Sequence, residues 1–175
     1  GPAERLKTWR DDGRRIILIT NAPRTADAVA NQLLRIGLPG DCWDGISTSG
    51  EAGIAALKEL NALDGFLGTA QDRAILESRA VPLVDGESFT DLACTGLDEV
   101  RREPEEYLDQ LSAWVGRGVT MHCLNPDRKV VRGGVPEACA GALADIYEPL
   151  GGDVRWYGKP HPAIYRHGLH LAGNP

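Results

Sequence analysis

Three short stretches of this sequence carry side chains that could do chemistry. Thr20-Asn21 closes one apolar run, Asn125-Pro126-Asp127 follows a second, and Gly158-Lys159-Pro160 follows a third. A threonine hydroxyl with free backbone N–H groups at a strand end can cradle a phosphate-like oxyanion. The same threonine can equally do no more than bond its own turn, and the residues alone leave both readings open. A lysine between glycine and proline has a restrained backbone and an aimed ammonium, able to neutralise a phosphoryl group as a point charge. An isolated lysine is more often a solvated surface charge. His161, two positions on, reads as a ligand, as an acid or, more commonly, as a residue that caps the turn. Asn125 and Asp127, beside Arg128 and Lys129, can contact a ligand or simply cap an Asn-Pro turn. There is no glycine-rich dinucleotide loop, P-loop or HExxH pair, and Ser47 and Ser49 lack a nucleophile-elbow context.

The elements that must position these stretches follow from periodicity. A helix is predicted over 2–12, with proline in its first turn, Leu6 and Trp9 on one face and Gly13 as its stop. The run Ile16-Ile17-Leu18-Ile19-Thr20 reads as a parallel strand, central and buried on both faces. A helix over 25–36 follows, with Val29, Leu33 and Ile36 inward. A strand over 44–48 comes next, and Thr48 and Glu51 have capping-box spacing for a helix to about residue 61. A second unit begins near residue 64. It has a weak strand candidate at 65–68, a short strand at 81–84 that Pro82 confines to an edge or a strand start, a helix over 70–79 and a strand at 92–95. A helix opens at Pro104 and presents Tyr107, Leu108, Leu111, Trp114 and Val115 to a core. Strands at 119–123, 129–132 and 154–157 and helices at 136–147 and 163–171 complete the pattern. This alternation predicts an α/β fold built on parallel sheet, with ligands at the C-terminal ends of its strands.

The chain has 175 residues, 42% hydrophobic and 25% charged, with a net charge of −6, which describes a packed domain rather than a disordered one. No basic patch points to nucleic acid, no apolar run reaches membrane length, and no signal peptide opens the chain. The expected setting is cytoplasmic. Cys42, Cys94, Cys123 and Cys139 form no C-x-x-C pair and fit no zinc spacing; reduced, buried thiols are expected.

Taken in order, the motifs resemble a known family. Ile17-Leu18-Ile19-Thr20-Asn21-Ala22-Pro23-Arg24 looks like the second motif of the haloacid dehalogenase (HAD) superfamily, and Gly158-Lys159-Pro160-His161 like its third. Ile46-Ser47-Thr48-Ser49-Gly50 resembles the "hxTSG" segment that precedes a large α/β cap in the class IIA phosphatases. Cys123-Leu124-Asn125-Pro126-Asp127 resembles the "xNPD" cap segment, and Cys139-Ala140-Gly141-Ala142-Leu143 the start of the cap helix after it. The resemblance implies a Rossmann-like core over 1–51 and 157–175, with an inserted cap over 52–156.

It also implies a phosphomonoester hydrolase acting on a sugar phosphate or another small phosphorylated metabolite. In such enzymes an Asp attacks phosphorus, a residue two positions on handles the proton, and Mg²⁺ offsets charge. By the same analogy Thr20 and Lys159 are catalytic, and Thr20, Asn21 and Lys159 bind phosphate, Asn21 mainly through its backbone. Asn125, Asp127 and Cys139 are the cap residues expected to face the substrate. The attacking strand and the acidic metal loop are expected outside residues 1–175, whose ends read as cut. Asp11-Asp12-Gly13 and Asp85-Gly86 are poor substitutes, so no metal ligand is expected within the chain and the chain alone is expected to be inactive. A homodimer through the cap is a further implication. The competing expectation is a non-catalytic phospholigand-binding or interaction protein on the same fold. A Rossmann-like nucleotide binder lacks its glycine-rich turn.

Overall fold

The computed structural model describes residues 1–175. Helix α1 (Pro2–Asp11) leads to strand β1 (Ile17–Thr20), helix α2 (Ala26–Arg35), strand β2 (Gly45–Thr48) and helix α3 (Ser49–Leu60). Strands β1 and β2 pair in parallel, Thr20 opposite Thr48, as a two-stranded sheet. Helix α7 (Pro162–Leu171) packs on both strands and α2 on β2.

Between them lies a second body. Strand β3 (Asp64–Leu67), helix α4 (Ala70–Ser78), β4 (Asp91–Cys94), α5 (Leu108–Gly116) and β5 (Thr120–Cys123) are followed by a hairpin, β6 (Lys129–Arg132) and β7 (Val135–Ala138). Helix α6 (Ala140–Tyr147) and strand β8 (Asp153–Trp156) end it. The strands β3-β4-β5-β8 form one parallel sheet in that order. Period-two alternation gives this sheet two apolar faces. Leu92, Cys94, Met121 and Cys123 pack with Tyr107, Leu111 and Trp114 of the α5 segment and with Leu143 and Tyr147 of α6. Ala93 on the other face joins Ile54 and Leu57 of α3 and Leu76 of α4. The fold is therefore α/β, with helices on both faces of the larger sheet.

Several expectations are corrected. Strand β1 is only half-buried along its length, because β2 is its single hydrogen-bonded neighbour. Ile36 is 72% exposed; it is the C-cap of α2, where the chain has left the helical repeat. Leu108 is exposed because it flanks the stripe centred on Tyr107, Leu111 and Trp114. Residues 81–84 form one bridge, Leu83 to Asp64 at the sheet edge, rather than a strand. The helix expected from Pro136 starts at Ala140 instead, and Val135–Ala138 is a strand. Gly133 and Gly134 both take positive φ, 56° and 81°, the two-residue turn whose twist suits a hairpin. Pro136 is tolerated because β7 has β6 as its only neighbour. The four cysteines are free and buried. No helix is long and apolar enough to cross a membrane.

Candidate anion site at the junction of the two sheets

The C-terminal ends of β1, β5 and β8 meet, and the start of α3 fastens them. Thr48, the N-cap of α3, accepts the Glu51 N–H at 2.9 Å and donates its own hydroxyl to the Arg24 carbonyl at 2.7 Å. Ser49 Oγ lies 3.0 Å from the Ala22 carbonyl and 2.5 Å from the Leu124 carbonyl, so one hydroxyl spans the loops after β1 and β5. A Cβ on Gly50 would collide with the Pro23 carbonyl. The Thr-Ser-Gly stretch is thus a clamp on the 22–24 loop. The capping box is half made: Glu51 gives its carboxylate to the Ala26 N–H and to Arg79 instead of returning it to Thr48.

Asn21 and Lys159 touch. The Lys159 N–H donates to Asn21 Oδ1 at 2.6 Å, and Asn21 Nδ2 donates to the Lys159 carbonyl at 3.3 Å, across 138 positions of sequence. The Asn21 side chain thus bonds the Gly-Lys-Pro loop directly. Asn21 Nδ2 also donates to Asp127 Oδ1 at 3.1 Å. Gly158 is buried, and any Cβ on it would enter the ring of Pro126. The Asn-Pro-Asp and Gly-Lys-Pro stretches are accordingly packed against each other. Thr20, half-buried, ends β1 directly before Asn21. The Lys159 side chain is exposed.

Asn125 is 6% exposed and its Oδ1 accepts the Asp127 N–H at 3.2 Å, so it shapes the turn from beneath. Cys139 is buried at the N-cap of α6 and no hydrogen bond ties it to Asn21 or Lys159. Burial pushes its thiol up from the ordinary value. His161 occupies the N-cap of α7 without a side-chain capping bond; its ring stacks on Trp156, centroids 5.2 Å apart. No group of three or more His, Cys, Asp or Glu side chains is placed to hold a metal ion. The junction thus brings the end of the Thr20 strand, through Asn21, to the backbone of Lys159, and a hydroxyl and a cation on neighbouring loops are groups suited to an oxyanion.

The sequence assigns Ser49 no role beyond its place in the Thr-Ser-Gly motif, and does not show the packing of Pro126 on Gly158. The signal for Ser49 is a hydroxyl inside the first helical turn, next to a capping threonine. Gly158 has no such signal, since its close approach to Pro126 is visible only in the fold.

No family model and no curated protein matches the chain. Solved structures do. A hydrolase of the haloacid dehalogenase-like family from Brucella suis superposes with a TM-score of 0.83 at 34% identity, covering 98% of this chain and 64% of that one. NagD from E. coli K-12 matches with a TM-score of 0.76 at 22% identity, over 98% of this chain and 66% of the other. A p-nitrophenyl phosphatase from Archaeoglobus fulgidus matches with a TM-score of 0.70 at 24% identity, again over 98% and 66%. The chain thus spans just under two thirds of the length of the Brucella protein.

Proposed function

We propose that this chain is of the haloacid dehalogenase superfamily, as its 34% identity and TM-score of 0.83 to the Brucella suis hydrolase support, and that it supplies the phosphate-gripping part of a class IIA phosphomonoester hydrolase. The observation that carries this reading is the pair of hydrogen bonds between Asn21 and Lys159, which fixes a lysine beside the end of the Thr20 strand. In this reading the Thr20 hydroxyl donates to a phosphoryl oxygen and the Lys159 ammonium offsets the charge that builds on it. This reading assigns neither the attacking carboxylate nor the Mg²⁺ ligands to the residues of the junction. The β3-β4-β5-β8 body acts as the cap. It covers the site, excludes water and sets specificity for a small phosphorylated metabolite.

The test uses the intact protein with p-nitrophenyl phosphate and Mg²⁺. Hydrolysis is expected, and Lys159→Ala should lower kcat/KM by about 100-fold or more. Residues 1–175 alone should give no turnover. Phosphate bound by the intact protein without hydrolysis of any monoester would favour a non-catalytic phospholigand-binding role. The position of Asp127 is the feature that makes this alternative worth testing, since its carboxylate is already bonded to Asn21.

A further inference from the structure

A lysine that grips phosphate must be held in one place, and the bonds around Asn21 say what holds it. A carboxamide has two N–H donors and an acceptor oxygen. In Asn21 the oxygen takes the Lys159 N–H, while the nitrogen gives to the Lys159 carbonyl and to Asp127 Oδ1. Two of these bonds engage the N–H and the carbonyl of one residue, as a neighbouring strand would. The reversed carboxamide would set N–H against N–H and oxygen against carboxylate, so a single orientation survives. Asp127 is itself anchored. Its N–H donates to Asn125 Oδ1 at 3.2 Å, its carbonyl accepts the Gly141 N–H at 3.1 Å, and the Pro126 ring fills the space over Gly158.

We propose that Asn21 and Asp127 are positioning residues for Lys159, with Asp127 acting through the Asn21 carboxamide. The four-stranded body thereby sets the placement of the lysine across the junction, and displacing residues 125–127 would loosen it. The value of this device to phosphate binding rests on the function proposed above; the mechanical link does not.

The test separates the two. The chain has four lysines, Lys7, Lys58, Lys129 and Lys159, so ¹⁵N-lysine labelling gives four amide signals. Asn21→Ala should speed solvent exchange of the Lys159 amide by about tenfold, with Lys58 in α3 unchanged as the control for folding. Asp127→Ala should shift the Lys159 signal and speed its exchange by about threefold. Asp127→Asn keeps an acceptor oxygen and should restore both. If Asn21→Ala unfolds the chain, the two Asp127 variants carry the test. A Lys159 amide unmoved by Asp127→Ala, or an Asp127→Asn variant that behaves like Asp127→Ala, overturns the proposal. Inorganic phosphate is then titrated into the same samples. A Lys159 signal that moves in the wild type, and needs more phosphate to move in Asn21→Ala, supports the coupling. No response in the wild type counts against the phosphate grip alone, and the exchange data still decide the positioning.

Discussion

Asp64 is the residue whose chemistry is least expected from its setting. It is fully buried at the start of β3 and neither carboxylate oxygen has a hydrogen-bond partner. Burial, with the charge of Asp91 next to it, pushes its carboxyl up from 3.8 to about 7. Asp91 does not share the problem, since its Oδ1 lies 2.7 Å from His122 Nε2, and His122 Nδ1 lies 2.7 Å from the Tyr157 hydroxyl. The folded chain holds the Asp64 proton more tightly than the unfolded chain. Below pH 3.8 both states are protonated and no penalty exists. Stability falls as pH rises toward about 7, and above that the full penalty of the buried charge remains. Asp64→Asn should therefore be stabilising at pH 8, by at most about 4 kcal/mol, and close to neutral at pH 4. Urea unfolding at the two pH values checks this. Nothing in Asp64-Gly65-Phe66-Leu67 announces such a group. A first strand residue reads as solvent-facing until the paired edge residues 82–84 are seen to cover it.

Elements legible in the sequence were those with one strong period or one strong stop. The helices after Thr25, Thr48 and Thr69 start where a threonine caps them, and β1, β2 and β5 sit where β-branched or apolar runs end in polar turns. The β6-β7 hairpin was missed because Pro136 before an apolar stretch mimics a helix start, although the Gly133-Gly134 pair, whose φ values are both positive, is itself a hairpin signal. The site's three loops were legible as motifs. Their mutual contacts were not, since a hydrogen bond across 138 positions leaves no periodic trace. Two substitutions test the joint between elements. Gly158→Ala forces a methyl group into the Pro126 ring and should cost about 1–3 kcal/mol, with loss of the Lys159 amide position seen by NMR. Ser49→Ala leaves the Ala22 and Leu124 carbonyls without their shared donor. It should lower stability by about 1–3 kcal/mol in chemical denaturation while leaving the sheet itself intact.

At the scale of the whole molecule, the question is what keeps two separate sheets in one relation. Helix α3 supplies much of the answer, giving Ile54 and Leu57 to the core under the larger sheet while its own first turn clamps the loop after β1. Glu51 in that turn adds a polar tie. Arg79, just past α4, binds both oxygens of its carboxylate at 2.7 Å, and Oε1 also accepts the Ala26 N–H at the start of α2 at 3.0 Å. One carboxylate thus joins the two bodies. Burial pushes the Glu51 carboxyl up, but the Arg79 guanidinium and the Ala26 N–H outweigh it and hold the group below its usual range. A depressed carboxylate contributes stability that is present above its ordinary value of 4.5 and is lost as pH falls through the folded one, the opposite slope to that of Asp64. A double-mutant cycle on Glu51→Ala and Arg79→Ala should give a coupling of about 1–3 kcal/mol at pH 7. The coupling should fade toward pH 3 as the carboxylate protonates. Salt tests the same assignment: with one partner 12% and the other 38% exposed, the pair is only partly screened, and most of the coupling should survive 1 M NaCl. A coupling that disappears in salt at pH 7 would mean that the pair is an exposed ornament, leaving the apolar contacts of α3 and the Ser49 and Asn21 hydrogen bonds to hold the two bodies together.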